Sequence, residues 1–390
     1  MEEANIERRH NASLPKEWER PCQAVADLPP LPPILPRPEY ALKPYVISHA
    51  DSVVHFLAAC EEGLLEEVSA FIQRQKPSQA ILQYGLEHAS FENQVAVVRY
   101  LLDLGAKLHG NVFVRPESQP CTRRQPVYAD VCIFDPGRED KGDLLPLVKV
   151  LTEFGWHPNQ AWKLTLYNVA KIALPYRGCL MNKPLSKFLL EHGADPNIDG
   201  GHLVKNGSPT LQRETGELLN AAFGLWDMEL VDMLLAHGAN LSYARPLHSL
   251  VSGQVKQLRN LDIWNVPFSR RRPLAEHVLE LGLMGVNDVK MVPYTDMICR
   301  QRGSTYETTA FAYACAAQDY EYAEWLLERG ANPELAGGKA FTQQWFFWSG
   351  PTNPETVREM VKKVKERSSN GAGRSKRSYG DFERDNLDES

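Results

Sequence analysis

The segment from Asp195 to Gly200 has the residue types of a calcium-binding loop. Asp195, Asn197 and Asp199 alternate before a glycine, as oxygen ligands do before the glycine turn of such loops. The last position of the loop requires a glutamate that binds through both carboxylate oxygens, and here that position is Asn206. We therefore interpret the segment as a turn that follows a helix, and we expect no metal there.

Other motifs of metal or phosphate chemistry are also incomplete. His192 and His202 flank the same segment, but neither has a cysteine or a helically spaced histidine to complete a zinc site. The stretch Gly337-Gly338-Lys339 lacks the earlier glycine and the following hydroxyl residue of a phosphate-binding loop. Nucleophile-elbow, dinucleotide-binding and zinc-protease motifs do not occur. The sequence predicts neither catalysis nor a cofactor, although an enzyme with a cryptic carboxylate site stays as an alternative.

Composition and charge narrow the class of partner. The chain has 390 residues with 43 basic and 49 acidic side chains, a net charge of −6, which opposes binding to nucleic acid or anionic lipid. Seven scattered cysteines without a Cys-x-x-Cys pair indicate a reducing compartment. No apolar run is long enough to span a membrane. We predict an intracellular protein, cytoplasmic or nuclear, with no membrane segment.

A short phrase recurs six times and reveals the organisation of the chain. Each copy has leucines at helical spacing, a polar last turn and then a glycine, the pattern of a helix that ends at a left-handed residue. Before each of these amphipathic helices lies a shorter segment rich in small residues, such as Asn220–Ala222. The phrase therefore predicts pairs of helices. The six glycines are Gly105, Gly155, Gly193, Gly238, Gly282 and Gly330.

Helix, tight turn, second helix, glycine and loop together resemble the unit of the ankyrin-repeat family. The endings Gly193-Ala-Asp-Pro-Asn197 and Gly330-Ala-Asn-Pro333 are similar to the Gly-Ala-Asp-x-Asn ending of that family. The opening Thr-Pro-Leu-His of the family is matched by Arg245-Pro-Leu-His248 alone. Because the glycines are 38 to 50 residues apart, and the family unit has about 33 residues, each unit carries an insertion.

The resemblance implies an all-α, ankyrin-like solenoid of about seven to eight stacked helix-turn-helix units. We expect this array to occupy residues 45–367. Its longest insertions are at 109–143, a predicted surface loop or extra short helix, and at 259–272. Arg270–Arg272 close the second insertion beside Trp264 and Phe268. They could contact a phosphate or an acidic peptide, but a solvated loop is the simpler interpretation.

Flanking segments differ in composition from the array. Residues 1–44 form a proline-rich arm whose prolines favour an extended polyproline conformation. Within it, Pro29, Pro30, Leu31 and Pro32 resemble the core of a ligand for WW or Src-homology-3-type domains. A plain tether and a strip packed on the first repeat are the alternatives. Residues 368–390 are charged and predicted to be disordered. The aromatic run 345–348 is interpreted as a cap on the last repeat or, alternatively, a partner-binding knob.

Membership of such a family implies non-catalytic binding of another protein on the concave groove and loop tips. In that family the two positions after the small pair of each inner helix face the groove. A partner with one basic and one apolar end would suit these side chains, and a self-associating helical array is the alternative. The implied binding residues are Glu61, Glu62, Phe91, Glu92, Gly224, Leu225, Ala316 and Ala317.

Overall fold

A computed structural model gives the fold of the chain. The described residues are 51–116, 132–134, 141–164, 169–174, 177–198, 214–251, 267–282, 284–293, 305–335 and 354–375. Within these ranges the chain is mostly helical, with 14 α-helices. The proline-rich arm, Trp264 and the aromatic run 345–348 lie outside the described residues.

The described chain divides into two compact units. The first unit comprises residues up to 219 together with 229–244, and the second comprises 220–228 and everything from 245 onward. Helices before residue 200 are α1 (Asp51–Glu62), α2 (Leu65–Gln75), α3 (Gln79–Phe91), α4 (Val95–Asp103), α5 (Leu145–Glu153), α6 (Arg177–Met181) and α7 (Lys183–Glu191). Those that follow are α8 (Glu217–Gly224), α9 (Met228–Ala236), α10 (Pro246–Ser249), α11 (Phe268–Glu280), α12 (Ala310–Ala316), α13 (Tyr320–Glu328) and α14 (Pro354–Ser375).

All six predicted glycines follow the end of a helix and have the left-handed backbone that the phrase requires. Their φ angles lie between +64° and +94°. At five of them the next residue donates its N–H to the carbonyl five residues earlier, as Ala106 does to Leu101 and Ala331 to Leu326, both at 3.0 Å. This closure satisfies carbonyls that the end of a helix leaves free. The prediction of glycine-terminated helices is confirmed.

The first helix of each of four hairpins (α1–α2, α3–α4, α8–α9 and α12–α13) ends in a second recurrent turn. Ala59, Ala89, Ala222 and Ala314 are each 3% exposed or less, and each accepts a hydrogen bond from the N–H five residues later. One left-handed residue makes each turn possible, and the four residues are Gly63, Asn93, Trp226 and Gln318. Small residues before the turns therefore have a structural reason, since a larger side chain at the buried position would separate the packed helices.

The prediction of a helical fold is confirmed in part: the described residues are mostly helical, but two antiparallel two-stranded sheets interrupt the helices, so the fold is not purely α. Strand β1 (Trp162–Leu164) pairs with β2 (Val169–Lys171), and β3 (Val289–Pro293) pairs with β4 (Thr305–Thr309). β3 and β4 are rich in Val, Thr and Tyr, which favour strands. Thr309 ends β4 and also caps α12, because its side chain accepts the N–H of Ala312 at 3.2 Å.

Part of the first insertion belongs to the core. Residues Gly110–Phe113 form a 3₁₀ helix, and Val114 bridges to Cys132. Phe113 stacks on Trp162 with ring centroids 4.7 Å apart, and lies 5.2 Å from Trp156. Phe134, from the same insertion, completes this buried aromatic cluster. The extra short helix is therefore present, and the described residues 112–113 and 132–134 of the insertion are buried and do not form a surface loop.

Two further expectations need correction. Arg270–Arg272 lie in the first turns of α11 and not in a loop, and Arg271 is only 1% exposed. Helix α14 extends past residue 368 to Ser375, where composition alone predicted disorder. Met360 and Val364 give α14 a buried face, which stabilises the helix beyond what its polar composition suggests.

Candidate functional site

The first two hairpins of the first unit meet at their turns, where the predicted binding residue Glu61 lies. Nδ1 of His88 is 2.7 Å from Oε1 of Glu61, and His88 is almost fully buried in α3. The side-chain amide of Gln94 donates to the carbonyl of Glu61 at 2.8 Å. Glu61 is therefore engaged inside the protein, and its carboxylate keeps about a third of its surface in solvent, at 31% exposure.

The neighbouring predicted residues have different environments. Phe91 is 6% exposed, because its ring packs inward, so it does not present an aromatic surface to a partner. Glu92 pairs with Lys141 at 2.6 Å and keeps 15% of its side chain exposed. Glu62 is exposed. The structure thus brings Glu61, Phe91 and Glu92 to adjacent turns, but only Glu62 is openly accessible.

Side chains connect these turns into a continuous edge. Asn93 donates to the carbonyls of Lys141 and Asp143, at 2.8 and 3.0 Å. Asn182 donates to the carboxylate of Asp143 at 2.9 Å. We name this row the turn edge, and it consists of residues 61–64, 92–94, 141–144 and 182.

A buried polar cluster lies on α3 and the start of the insertion. Glu87, 2% exposed, accepts a hydrogen bond from Asn111 at 3.2 Å, and Nε2 of His109 lies 3.6 Å from the same carboxylate oxygen. Burial lowers the pKa of His109 to about 4. A carboxylate that orients an imidazole is a common arrangement for general bases. The pair joins the start of the insertion to α3. Because Glu87 and His109 are both buried, neither is accessible to a substrate.

No protein-family model matches the chain, and no curated protein matches it. Among the residues that the structure describes, no three His, Cys, Asp or Glu side chains are placed to hold a metal ion. Across the same ranges, none of the helices has both the length and the apolar content that a membrane crossing requires.

The predicted binding residues of the second unit lie on α8 and α12 and just after them. Gly224 and Leu225 are half-buried, and Ala317 is exposed. A Cβ at Gly224 would lie 3.6 Å from the carbonyl oxygen of Ser249, an ordinary contact. Ala316 is the last residue of α12. The residues at these four positions are small or apolar, and none has a hydrogen-bonding side chain.

Arg271 holds the turns of the second unit together. Its guanidinium donates to Asp319, which lies in the turn between α12 and α13, and to the carbonyl of Leu250 at 2.6 Å. The rings of Trp226, Phe268 and Tyr322 lie 5.4 to 5.7 Å from its guanidinium carbon. Sequence reasoning placed this arginine in solvent and missed its role.

Three asparagines, in the loops after Gly155, Gly193 and Gly282, make the same contact, which sequence reasoning did not predict. Asn159 donates to the carbonyl of Gly193 at 3.0 Å and accepts the N–H of Asp195 at 2.8 Å. Asn197 bridges Gly238 and Asn240 in the same way, at 2.9 and 2.8 Å. Asn287 bridges Gly330 and Asn332, at 3.1 and 2.7 Å. We call these three residues the asparagine clamps, and the signal for them is an asparagine four or five residues after a glycine stop.

Several charged side chains on the glycine-terminated helices and on α14 pair with a neighbouring helix. In the first unit Arg99 pairs with Glu153 at 2.6 Å. Exposed pairs of this kind add little to stability. Equivalent pairs are Lys183–Glu229, Arg329–Glu276 and Arg367–Glu324.

Proposed function

We propose that the chain is a non-catalytic protein-interaction scaffold of the ankyrin-repeat kind, with helical hairpins stacked as a solenoid within each unit. The recurrent asparagine clamp is the observation that carries this proposal. Each clamp joins one glycine loop to the next loop along the chain, over 34 to 45 residues. Contacts that repeat between nearest neighbours are typical of solenoid arrays.

A stack of this kind suits protein recognition because its surface exists before the partner arrives. A preformed surface avoids much of the ordering entropy that binding otherwise requires. Loops and turns of repeat proteins carry their specificity, since the helices are occupied with packing.

The chemistry of the turn edge favours a partner segment that carries basic residues. Glu62 is exposed, and the carboxylates of Glu61 and Glu92 are partly exposed beside it. In the second unit the small and apolar positions at Leu225 and Ala317 suit an apolar segment of a partner. Complementary charge of this kind governs association rate and salt dependence more than total affinity.

The test is a charge reversal at the exposed carboxylate. The intact chain is cross-linked in its native cell, the captured protein is identified by mass spectrometry, and its Kd for purified variants is measured at two salt concentrations. We expect Glu62→Lys to weaken binding by about three- to tenfold and to reduce its salt dependence.

Asp103→Lys is the matched control, because Asp103 is an exposed carboxylate on α4 away from the turn edge, and it should bind as the wild type does. Equal affinities for both variants would exclude the turn edge as the site. A molar mass that rises with concentration in light scattering would favour the self-associating alternative.

A further inference from the structure

Four of the loops that follow the glycine stops share one local turn. In these loops the side chain two residues after the glycine accepts the backbone N–H of the residue two positions further on. In the loop after Gly155 the acceptor is Nδ1 of His157, which takes the N–H of Asn159 at 3.1 Å. One of the four turns therefore depends on an imidazole. The other three acceptors are side-chain oxygens, each at 2.9 Å, and they belong to Asp195, Asn240 and Asn332.

The imidazole of His157 can make this contact only when it is neutral. Nδ1 accepts a hydrogen bond while the proton is on Nε2, whereas both ring nitrogens of a protonated imidazole are donors. Protonated His157 would therefore direct an N–H toward the N–H of Asn159 and lose the contact. By contrast, the amide oxygens of Asn240 and Asn332 remain acceptors throughout the range in which an imidazole titrates.

His157 lies where two loops of the first unit meet. Asn159, whose N–H it holds, is an asparagine clamp: its side chain donates to the carbonyl of Gly193 and accepts the N–H of Asp195, at 3.0 and 2.8 Å. The imidazole also lies against Gly193, because a Cβ added there would be 3.2 Å from Nε2. We call the loops 155–160 and 193–197 together the histidine joint. At four other glycine stops, no neighbouring atom of the described chain comes within 4 Å of that Cβ position: Gly105, Gly155, Gly238 and Gly330.

The other titratable groups nearest the histidine joint, at the ends of α5 and α7 and in the two loops, have partners of their own. Burial lowers the pKa of His157 below its ordinary value, and a hydrogen bond to the neutral ring acts in the same direction. His157 is therefore neutral near pH 7 and becomes protonated in acidic solution. The neighbouring groups and their partners are Glu153 with Arg99, Glu191 with Lys187, His192 with the carbonyl of Phe188, and Asp195 with the N–H of Asn197.

We propose that His157 is a pH switch that couples and uncouples the two loops of the histidine joint. With a neutral imidazole, the turn fixes the backbone of Asn159, and the side chain of Asn159 clamps Gly193 and Asp195. Protonation removes the acceptor, so Asn159 loses its fixed position and the clamp opens. The switch acts in the free chain and goes beyond the proposed scaffold function, since it requires no partner.

Hydrogen exchange of the full chain tests this switch, measured by mass spectrometry on overlapping peptides at about pH 5.5 and about pH 7.5 and corrected for the intrinsic pH dependence of exchange. We expect the amide of Asp195 to exchange about fivefold faster at the lower pH, as for the loss of one hydrogen bond. The amide of Asn332 is the internal control. Asn287 holds it in the same way, at 2.7 Å, in a loop whose turn uses an amide oxygen, so its corrected rate should not change.

Three variants separate protonation of His157 from a merely structural role. His157→Asn introduces the residue type that the later loops use at this turn position, so Asp195 should stay protected at both pH values. His157→Ala removes the acceptor and should give fast exchange at both. His192→Asn removes the neighbouring histidine and should keep the wild-type response. The proposal fails if the wild-type rate is the same at both pH values, if the response survives in His157→Asn or is lost in His192→Asn, or if His157→Ala stays protected.

Discussion

The guanidinium of Arg271 and the carboxylate of Asp319 form a two-point pair, with Nη1–Oδ2 and Nη2–Oδ1 distances of 2.5 and 3.0 Å. Their side chains are only 2% and 5% exposed. Arg271 belongs to α11 and Asp319 to the turn between α12 and α13, so the pair joins two successive helical elements of the second unit. Because an isolated buried charge is strongly unfavourable, each residue needs the other.

Removing one member of this pair should destabilise the second unit more than any surface substitution. Arg271→Met leaves Asp319 buried without its partner, so we expect the free energy of unfolding to fall by about 3–5 kcal/mol in urea denaturation. Arg272→Met changes the exposed neighbour in the same helix and should have an effect below about 0.5 kcal/mol.

The double variant Arg271→Met with Asp319→Leu separates the charge effect from the loss of packing. Since it leaves no unpaired charge, it should recover most of the lost stability. A double variant no more stable than Arg271→Met would contradict this account.

Asn197 provides the test of the asparagine clamp. Asn197→Ala removes hydrogen bonds to the carbonyl of Gly238 and the N–H of Asn240, so unfolding should become easier by about 1–3 kcal/mol. Asn332 is the control. Within the described ranges its side chain accepts the N–H of Glu334 alone, in its own loop, at 2.9 Å, and Asn332→Ala should cost less than about 1 kcal/mol. Equal losses would mean that the clamp adds nothing beyond a local turn.

Features that depend on neighbouring residues could be predicted from the sequence. A leucine-rich helix needs a residue with a left-handed backbone to end it, and Gly193 and Gly238 have that positive φ. The hydrogen bonds of such an ending lie within six residues, so a local sequence pattern predicts it. The buried small residues before the turns follow from the same local pattern.

Features that depend on distant partners could not be predicted. Nothing near Arg271 identifies Asp319, 48 residues away, so the basic triplet resembled a solvated loop. Glu61 and Phe91 were expected on the groove because of their place in the unit. In the folded chain, Nδ1 of His88 contacts the carboxylate of Glu61, and neighbouring residues bury Phe91. Both contacts form only when the chain folds. The strands β3 and β4 were missed because insertions obscure the period of the repeats.

Stability should fall as the pH is lowered from about 6.5 to about 4. Burial lowers the pKa of His248 to about 4 and outweighs the hydrogen bond to Thr308, which raises it; Arg245 and Lys290 lower it slightly further, and Asp288 raises it slightly. Burial also lowers the pKa of His109 to about 4. Between these folded values and the ordinary 6.5, the unfolded chain binds more protons, so acid favours unfolding. At pH 4, the lower end of this range, each histidine should have reduced the free energy of unfolding by about 2–3 kcal/mol.

The substitution His248→Gln tests whether the protonation of His248 causes this loss of stability. Nε2 of His248 donates to the carbonyl of Thr308 at 2.9 Å, and a glutamine amide can replace that donor without titrating. Urea unfolding at pH values between 5 and 6 should show a slope of about two protons for the wild type and about one for the variant. Identical slopes would show that His248 does not carry the effect.

The buried thiols should be inert until the chain unfolds. Burial raises the pKa of Cys315 to about 12 and raises the pKa of Cys60 and of Cys179 well above the usual range. Because the thiolate is the reactive form, iodoacetamide near pH 8 should modify these three residues at least about a hundredfold more slowly in the native chain than in urea. Peptide mass spectrometry after timed quenching gives the rate at each cysteine, and the unfolded sample is the internal control. Native rates close to those of the unfolded chain at any of the three would mean that the helices around that thiol open readily, contrary to its burial in the folded chain.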